Sequence, residues 1–128
     1  MKKFFFSVLI ITSILTTSVF AEIKIGIILG FTGPIKDLTP AMAESAEIAI
    51  KEASDSGSLL NGETIKVERA DSTCKDPSAA SDAAKEIISQ GVKAIIGGVC
   101  SEVTEIILSE AAVPNGIVMI SPAETSSS

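Results

Sequence analysis

The chain has 128 residues, 46% of them hydrophobic, a formal net charge of -6 and no Trp, Tyr or His, which is material for one small globular domain at most. Its ten Lys and Arg are scattered rather than clustered, so no basic patch exists to neutralise phosphates and nucleic acid is excluded as a partner. Without histidine, neither a Cys-His nucleophile nor a Ser-His-Asp triad can be assembled within the chain, and two cysteines alone make a poor zinc site.

Residues 1–21, MKKFFFSVLIITSILTTSVFA, set Lys2 and Lys3 ahead of an apolar stretch and end on Val19-Phe20-Ala21. The pattern predicts a secretory signal peptide with a small-x-small cleavage site. Ser and Thr interrupt the stretch, and it is shorter than the ~20 apolar residues that a membrane span requires. No cysteine stands at the cleavage point to carry a lipid, so the mature protein is expected to have no membrane anchor there. Export also changes what Cys74 and Cys100 mean, because in an oxidising compartment a pair of cysteines is by default a disulfide.

The mature chain opens with EIKIGIILG, residues 22–30, which alternates and then runs apolar, as a buried strand of a parallel sheet does. After the loop FTGPIKDL, Thr39 is expected as N-cap with Pro40 at the first helical position. Met42, Ala46, Ala49, Ile50 and Ala53 follow at helical spacing until Gly57 stops the helix. LLNGE is a turn around Asn61-Gly62, and the alternation of Ile65 and Val67 with Lys66 and Glu68 predicts a second strand over 64–71. Asp76-Pro77 then starts a second helix, with Ala80, Ala83, Ala84, Ile87 and Ile88 as its apolar stripe and Gly91 as its end. VKAIIGGV is a third strand and delivers Cys100 and Ser101. A third helix carries Val103, Ile106, Ile107 and Ala111, and GIVMIS is a fourth strand.

The order strand, helix, strand, helix, strand, helix, strand predicts an α/β fold with a doubly wound parallel sheet and right-handed crossovers. The sequence stops shortly after the fourth strand with no closing helix, so residues 22–128 are expected to be the N-terminal part of a longer protein.

In open α/β sheets ligands bind beyond the carboxyl ends of the strands, which directs attention to GFTGP, DSTC, GVCSE and SPAET. Gly26, Gly30 and Gly33 fit neither G-x-G-x-x-G nor a P-loop. Glu102 and Glu105 lie at i, i+3 on a helix whose apolar face is elsewhere and are expected on a solvated surface. Cys74 and Cys100 follow the second and third strands, in adjacent loops, where a disulfide or two buried thiols can be accommodated. Ser101, at the start of the third helix, either caps that helix with its hydroxyl or offers the hydroxyl to an anion beside the helix N–H groups. SPAET adds the backbone of Ala123 and the hydroxyl of Thr125 at the neighbouring strand end, and the two loops together suit a small carboxylate.

Taken in order and spacing, IKIGIILGFTGP, TCKDP, IIGGVCSE and MISPAETS resemble the N-terminal lobe of the periplasmic branched-chain amino acid binding proteins of ABC transporters. The resemblance covers essentially all of residues 22–128. It implies a type I periplasmic-binding fold of two lobes, of which this stretch supplies most of the first and none of the second. It further implies that Ser101 binds the ligand α-carboxylate through its hydroxyl, that Ala123 and Thr125 hold the carboxylate and ammonium, and that Cys74 and Cys100 form a disulfide of this lobe. The implied protein is periplasmic, not an enzyme, uses no cofactor or metal, and has a small amino acid and a membrane permease as partners. Two departures stand out: Leu38 replaces an aromatic residue present in some members, and Glu124 occupies a position that is usually small. The ligand is accordingly expected to be a branched-chain or related amino acid, an amide or a small carboxylate. A ligand-sensing domain of a receptor on the same fold is the alternative, and an exported α/β enzyme is the third reading.

Overall fold

The computed structural model describes residues 22–59 and 62–125. The signal-peptide expectation for residues 1–21 and the Asn61 half of the predicted turn lie outside them. Four strands, β1 (Glu22–Leu29), β2 (Thr64–Asp71), β3 (Ala94–Gly97) and β4 (Val118–Ile120), alternate with three helices, α1 (Thr39–Asp55), α2 (Pro77–Ser89) and α3 (Ser101–Ile107). All pairings are parallel and the strand order is β2-β1-β3-β4. The predicted doubly wound α/β sheet is what the chain builds.

β1 is central, and its side chains alternate between two cores. Ile27 and Leu29 pack with Ala43 and Ile50 of α1 on one face. Ile28 packs on the other with Ala80, Ala84 and Ile87 of α2 and Val103 and Ile107 of α3. A strand buried on both faces has no polar side, which is why its second half reads as an apolar run in the sequence. At roughly 1.5–3 kcal/mol for each fully buried aliphatic side chain, these three residues are a principal source of stability.

Several boundaries differ from the sequence-based expectation. Thr39 is not the N-cap of α1: Leu38 is already helical at φ -99°, ψ -37°, and Thr39 is fully buried with its hydroxyl donating to the Gly30 carbonyl at 2.8 Å. That bond pins the helix to the end of β1, a tertiary use of a residue type that usually serves as a local cap. In α2 the expectation holds in detail, with Asp76 accepting from the Ser78 and Ala79 N–H groups at 3.0 and 3.1 Å and Pro77 following it. β3 is shorter than VKAIIGGV, because Gly98 turns to φ +71° immediately after it. The third helix is also not uniform. After Ile107 it widens into a π turn, Leu108–Ala112, and closes on a 3-10 turn, Val113–Asn115. The wider turn puts both Ala111 and Ala112 inside, and the Asn115 side chain donates to the Ala111 carbonyl at 2.8 Å.

Candidate functional site

The four loops GFTGP, DSTC, GVCSE and SPAET all emerge at the carboxyl end of the parallel sheet. Three sets of bonds join them into one surface.

The first set centres on Asp71, the last residue of β2. Its carboxylate accepts from the Thr32 hydroxyl at 2.5 Å, the Thr32 N–H at 3.2 Å and the Thr73 N–H at 2.8 Å. Burial pulls its pKa up, but the Thr32 hydroxyl and the backbone N–H groups of Thr73, Thr32 and Phe31 together outweigh that and hold the carboxyl below its ordinary value. Sequence reasoning missed this residue, although an acid closing an alternating strand just before a Ser-Thr turn is a recognisable signal for a loop anchor. A shallow concavity of about 510 Å³ lies beside it, lined by Thr32, Gly33, Thr73, Lys75, Asp76 and Pro77.

The second is the Cys74–Cys100 disulfide, with a Cα–Cα distance of 5.6 Å. The two cysteines were expected in adjacent loops, but their strands are not neighbours, since β1 lies between β2 and β3. The bridge therefore crosses the end of β1. Two consecutive residues with positive φ, Thr73 at 57° and Cys74 at 54°, turn the chain inward to make the crossing. The residue beneath is Gly30, where an added Cβ would stand 3.1 Å from Cys74 Cβ and 3.2 Å from its sulfur. A side chain at this position would crowd both the bridge and Ile35, whose Cγ1 would also stand 3.2 Å away.

The third set carries the predicted ligand-binding residues. Ser121, just after β4, donates its hydroxyl to the Gly98 carbonyl of the β3 loop and accepts from the N–H groups of Ala123 at 3.3 Å and Glu124 at 2.9 Å. Ser101 then donates to Glu124 Oε1 at 2.6 Å. Ser101, Ala123 and Thr125 are all exposed on this side, and Glu124 is half-buried. Of the two readings of Ser101, the helix cap is not realised. Cys100 holds the cap position in extended conformation, no side chain caps the helix, and the first turn closes through the Cys100 carbonyl, which accepts the Thr104 N–H at 3.0 Å and the Thr104 hydroxyl at 2.9 Å. The Ala123 N–H is spent inside the Ser121 turn, so what Ala123 offers outward is less than the sequence promised. None of the three residues lines the concavity at Asp71.

The arrangement is an exposed polar wall, stapled across its middle. Leu38 and the acidic pair Glu102 and Glu105 are exposed. Among the described residues no group of three or more His, Cys, Asp or Glu is placed to hold a metal ion, and no helix is long and apolar enough to cross a membrane.

The family model of the periplasmic binding proteins matches residues 22–128. The chain belongs to that family. It is 35% identical over 127 residues to the Leu/Ile/Val-binding protein homolog 1 of Brucella suis biovar 1, covering 98% of this chain and 33% of that protein. Its fold superposes on the branched-chain amino acid transporter substrate binding protein LivJ from Streptococcus pneumoniae, solved with isoleucine, with a TM-score of 0.74 at 25% identity, over 84% of this chain and 30% of the other. An ABC transporter substrate-binding protein from Desulfitobacterium hafniense, solved with Leu, gives a TM-score of 0.68 at 28% identity, over 84% of this chain and 30% of the other. The chain thus spans about a third of the length of the relatives it matches. Membership in this family accords with the parallel α/β sheet that the chain builds.

Proposed function

We propose that this chain belongs to the solute-binding component of an ABC transporter, exported to the periplasm by residues 1–21, which captures a branched-chain or related amino acid and presents it to a membrane permease. In this reading residues 22–125 form one wall of the cleft, and a second lobe, contributed by the rest of a longer protein, closes over it. Ser101, Ala123 and Thr125 take the polar head of the ligand, and no covalent chemistry is involved.

The observation that supports it best is the joining of the β3 and β4 loops, through Ser121 to Gly98 and Ser101 to Glu124, into a pre-organised hydrogen-bonding surface at the strand ends of a periplasmic-binding fold. Pre-organisation reduces the ordering cost that a small ligand must otherwise offset.

The test is a thermal-shift and calorimetric screen of the full-length mature protein against amino acids, their amides and short carboxylates. A bound solute is expected to raise the melting temperature progressively with the logarithm of its concentration and to be recovered unchanged. Conversion of the solute to a product, or no shift with any member of the three classes, rejects the proposal.

A further inference from the structure

Resting on the solute-binding reading above, we infer that Ser121 is a positioning residue of the site: without touching the solute, its hydroxyl sets the β4 loop, with Ala123 and Thr125, against the β3 loop that leads to Ser101. A serine hydroxyl has one proton to give and two lone pairs to accept with. Ser121 uses all three. It donates to the Gly98 carbonyl and accepts from the Ala123 N–H at 3.3 Å and the Glu124 N–H at 2.9 Å. A hydroxyl with no remaining capacity has nothing to offer a ligand, so its place beside the candidate binding residues follows from what it holds together.

The two ends of this clamp differ in how firmly they are anchored. Gly98 is tied to the centre of the sheet, since its own N–H donates to the Ile28 carbonyl of β1 at 3.0 Å. The β4 loop starts from a weaker base. β4 has three residues, pairs among the described strands with β3 alone, and leaves Val118 and Ile120 exposed. Pro122, which follows Ser121, has no N–H, so Ala123 and Glu124 carry the first two backbone donors after it, and both turn back onto the Ser121 oxygen. Ser121 thereby refers a loop on a short edge strand to the buried central one. The Ser101 hydroxyl meets the same turn at Glu124, at 2.6 Å, so the two loops are in contact where the solute is proposed to sit.

Two measurements on the full-length mature protein test the inference: calorimetry with leucine, leucinamide and 4-methylpentanoate, and hydrogen exchange of the Ala123 and Glu124 amides. The titrations are run at a temperature where every variant is folded, so that a loss of stability alone leaves Kd unchanged. Ser121→Ala is expected to weaken the probe that wild type binds best by roughly 3- to 10-fold, the cost of ordering a freed side chain on binding, and to speed exchange at both amides. Ser121→Thr, which keeps the hydroxyl, is expected to bind and exchange as wild type does. In a Ser101→Ala background the further change Ser121→Ala is expected to cost less than it does alone, because a residue it acts through is already gone. Exchange in the wild type needs no variant to fold, and fast exchange of both amides there overturns the role of Ser121 while solute binding stands. Wild-type affinity in Ser121→Ala, no rescue by threonine, or losses that simply multiply in the double variant do the same. Binding of none of the three probes by wild type overturns both readings.

Discussion

Gly98 shows how closely the site depends on a single residue. At φ +71° it lies in backbone territory that L side chains avoid, and a Cβ there would meet Thr104 Oγ1 at 2.2 Å. Thr104 cannot retreat, since its hydroxyl is bonded to the Cys100 carbonyl inside the first turn of α3. Gly98→Ala is therefore expected to destabilise the fold by about 1–3 kcal/mol, from backbone strain and overpacking together, measured by chemical denaturation. An unchanged midpoint would mean that the β3 loop relaxes freely. At this scale the sequence was only partly legible. Ser101 could be named as either a cap or a donor, because both uses need a hydroxyl at a helix start. The cap reading fails because Cys100, one residue earlier, takes the cap position, and the partner that the Ser101 hydroxyl finds instead, Glu124, lies on another loop. Asp71 and Ser121 carry a local turn signal, but the bonds that join loops, to Thr32 and to the Gly98 carbonyl, cross gaps in sequence that local patterns do not span.

The elements themselves were more legible, and the exceptions are instructive. β2 runs from Thr64 to Asp71 as its alternation predicts, and α2 begins at the Asp76-Pro77 signal because that cap is local. The π turn after α3 has no periodic signature, as it arises from fitting Ala111 and Ala112 into the same core. Strand pairing is likewise non-local, and the order β2-β1-β3-β4 is why the disulfide must vault β1. The bridge closes a loop with a sequence separation of 26, so its reduction, or Cys74→Ala with Cys100→Ala, is expected to cost about 3–4 kcal/mol in the chain-entropy account. Equilibrium unfolding with and without reductant measures it. A loss well under 1 kcal/mol would show that the Asp71 anchor and the core already hold these loops together.

For the whole molecule, the acidic composition has a consequence for pH. Asp71 sits below its ordinary value through its hydrogen bonds, despite burial, and Glu47 does so chiefly through the Arg69 side chain, whose Nε and Nη2 donate to the two carboxylate oxygens at 2.6 and 2.8 Å. Glu68, bonded to Lys66, and Glu110, bonded to Ser81 and Lys85, are lowered as well. A depressed folded pKa means that the unfolded chain binds more protons in the window between the two values, so stability rises with pH there. The melting temperature is expected to be level near neutrality and to fall as the pH drops from about 5 through the ordinary carboxylate range. In Asp71→Asn the fall should be shallower and the neutral-pH melting temperature lower. An acid limb as steep as wild type would assign the effect to other groups.

The central position of β1 also sets an order of events in time. β1 is synthesised before either of the strands that flank it, and Ile25 must wait for Val67 on one side and Ala94 on the other. Both edges of the core strand are thus satisfied only by distant chain, so loop-closure entropy must be met before the pairing returns any stabilisation, which slows folding. For a polypeptide proposed to thread a translocation channel before it folds, that delay is useful, because it keeps the chain extended while it crosses. Cys100 follows β3, so its partner Cys74 waits until the first three strands have all been made. The bridge is then a late clasp on an assembled sheet rather than a guide to its assembly.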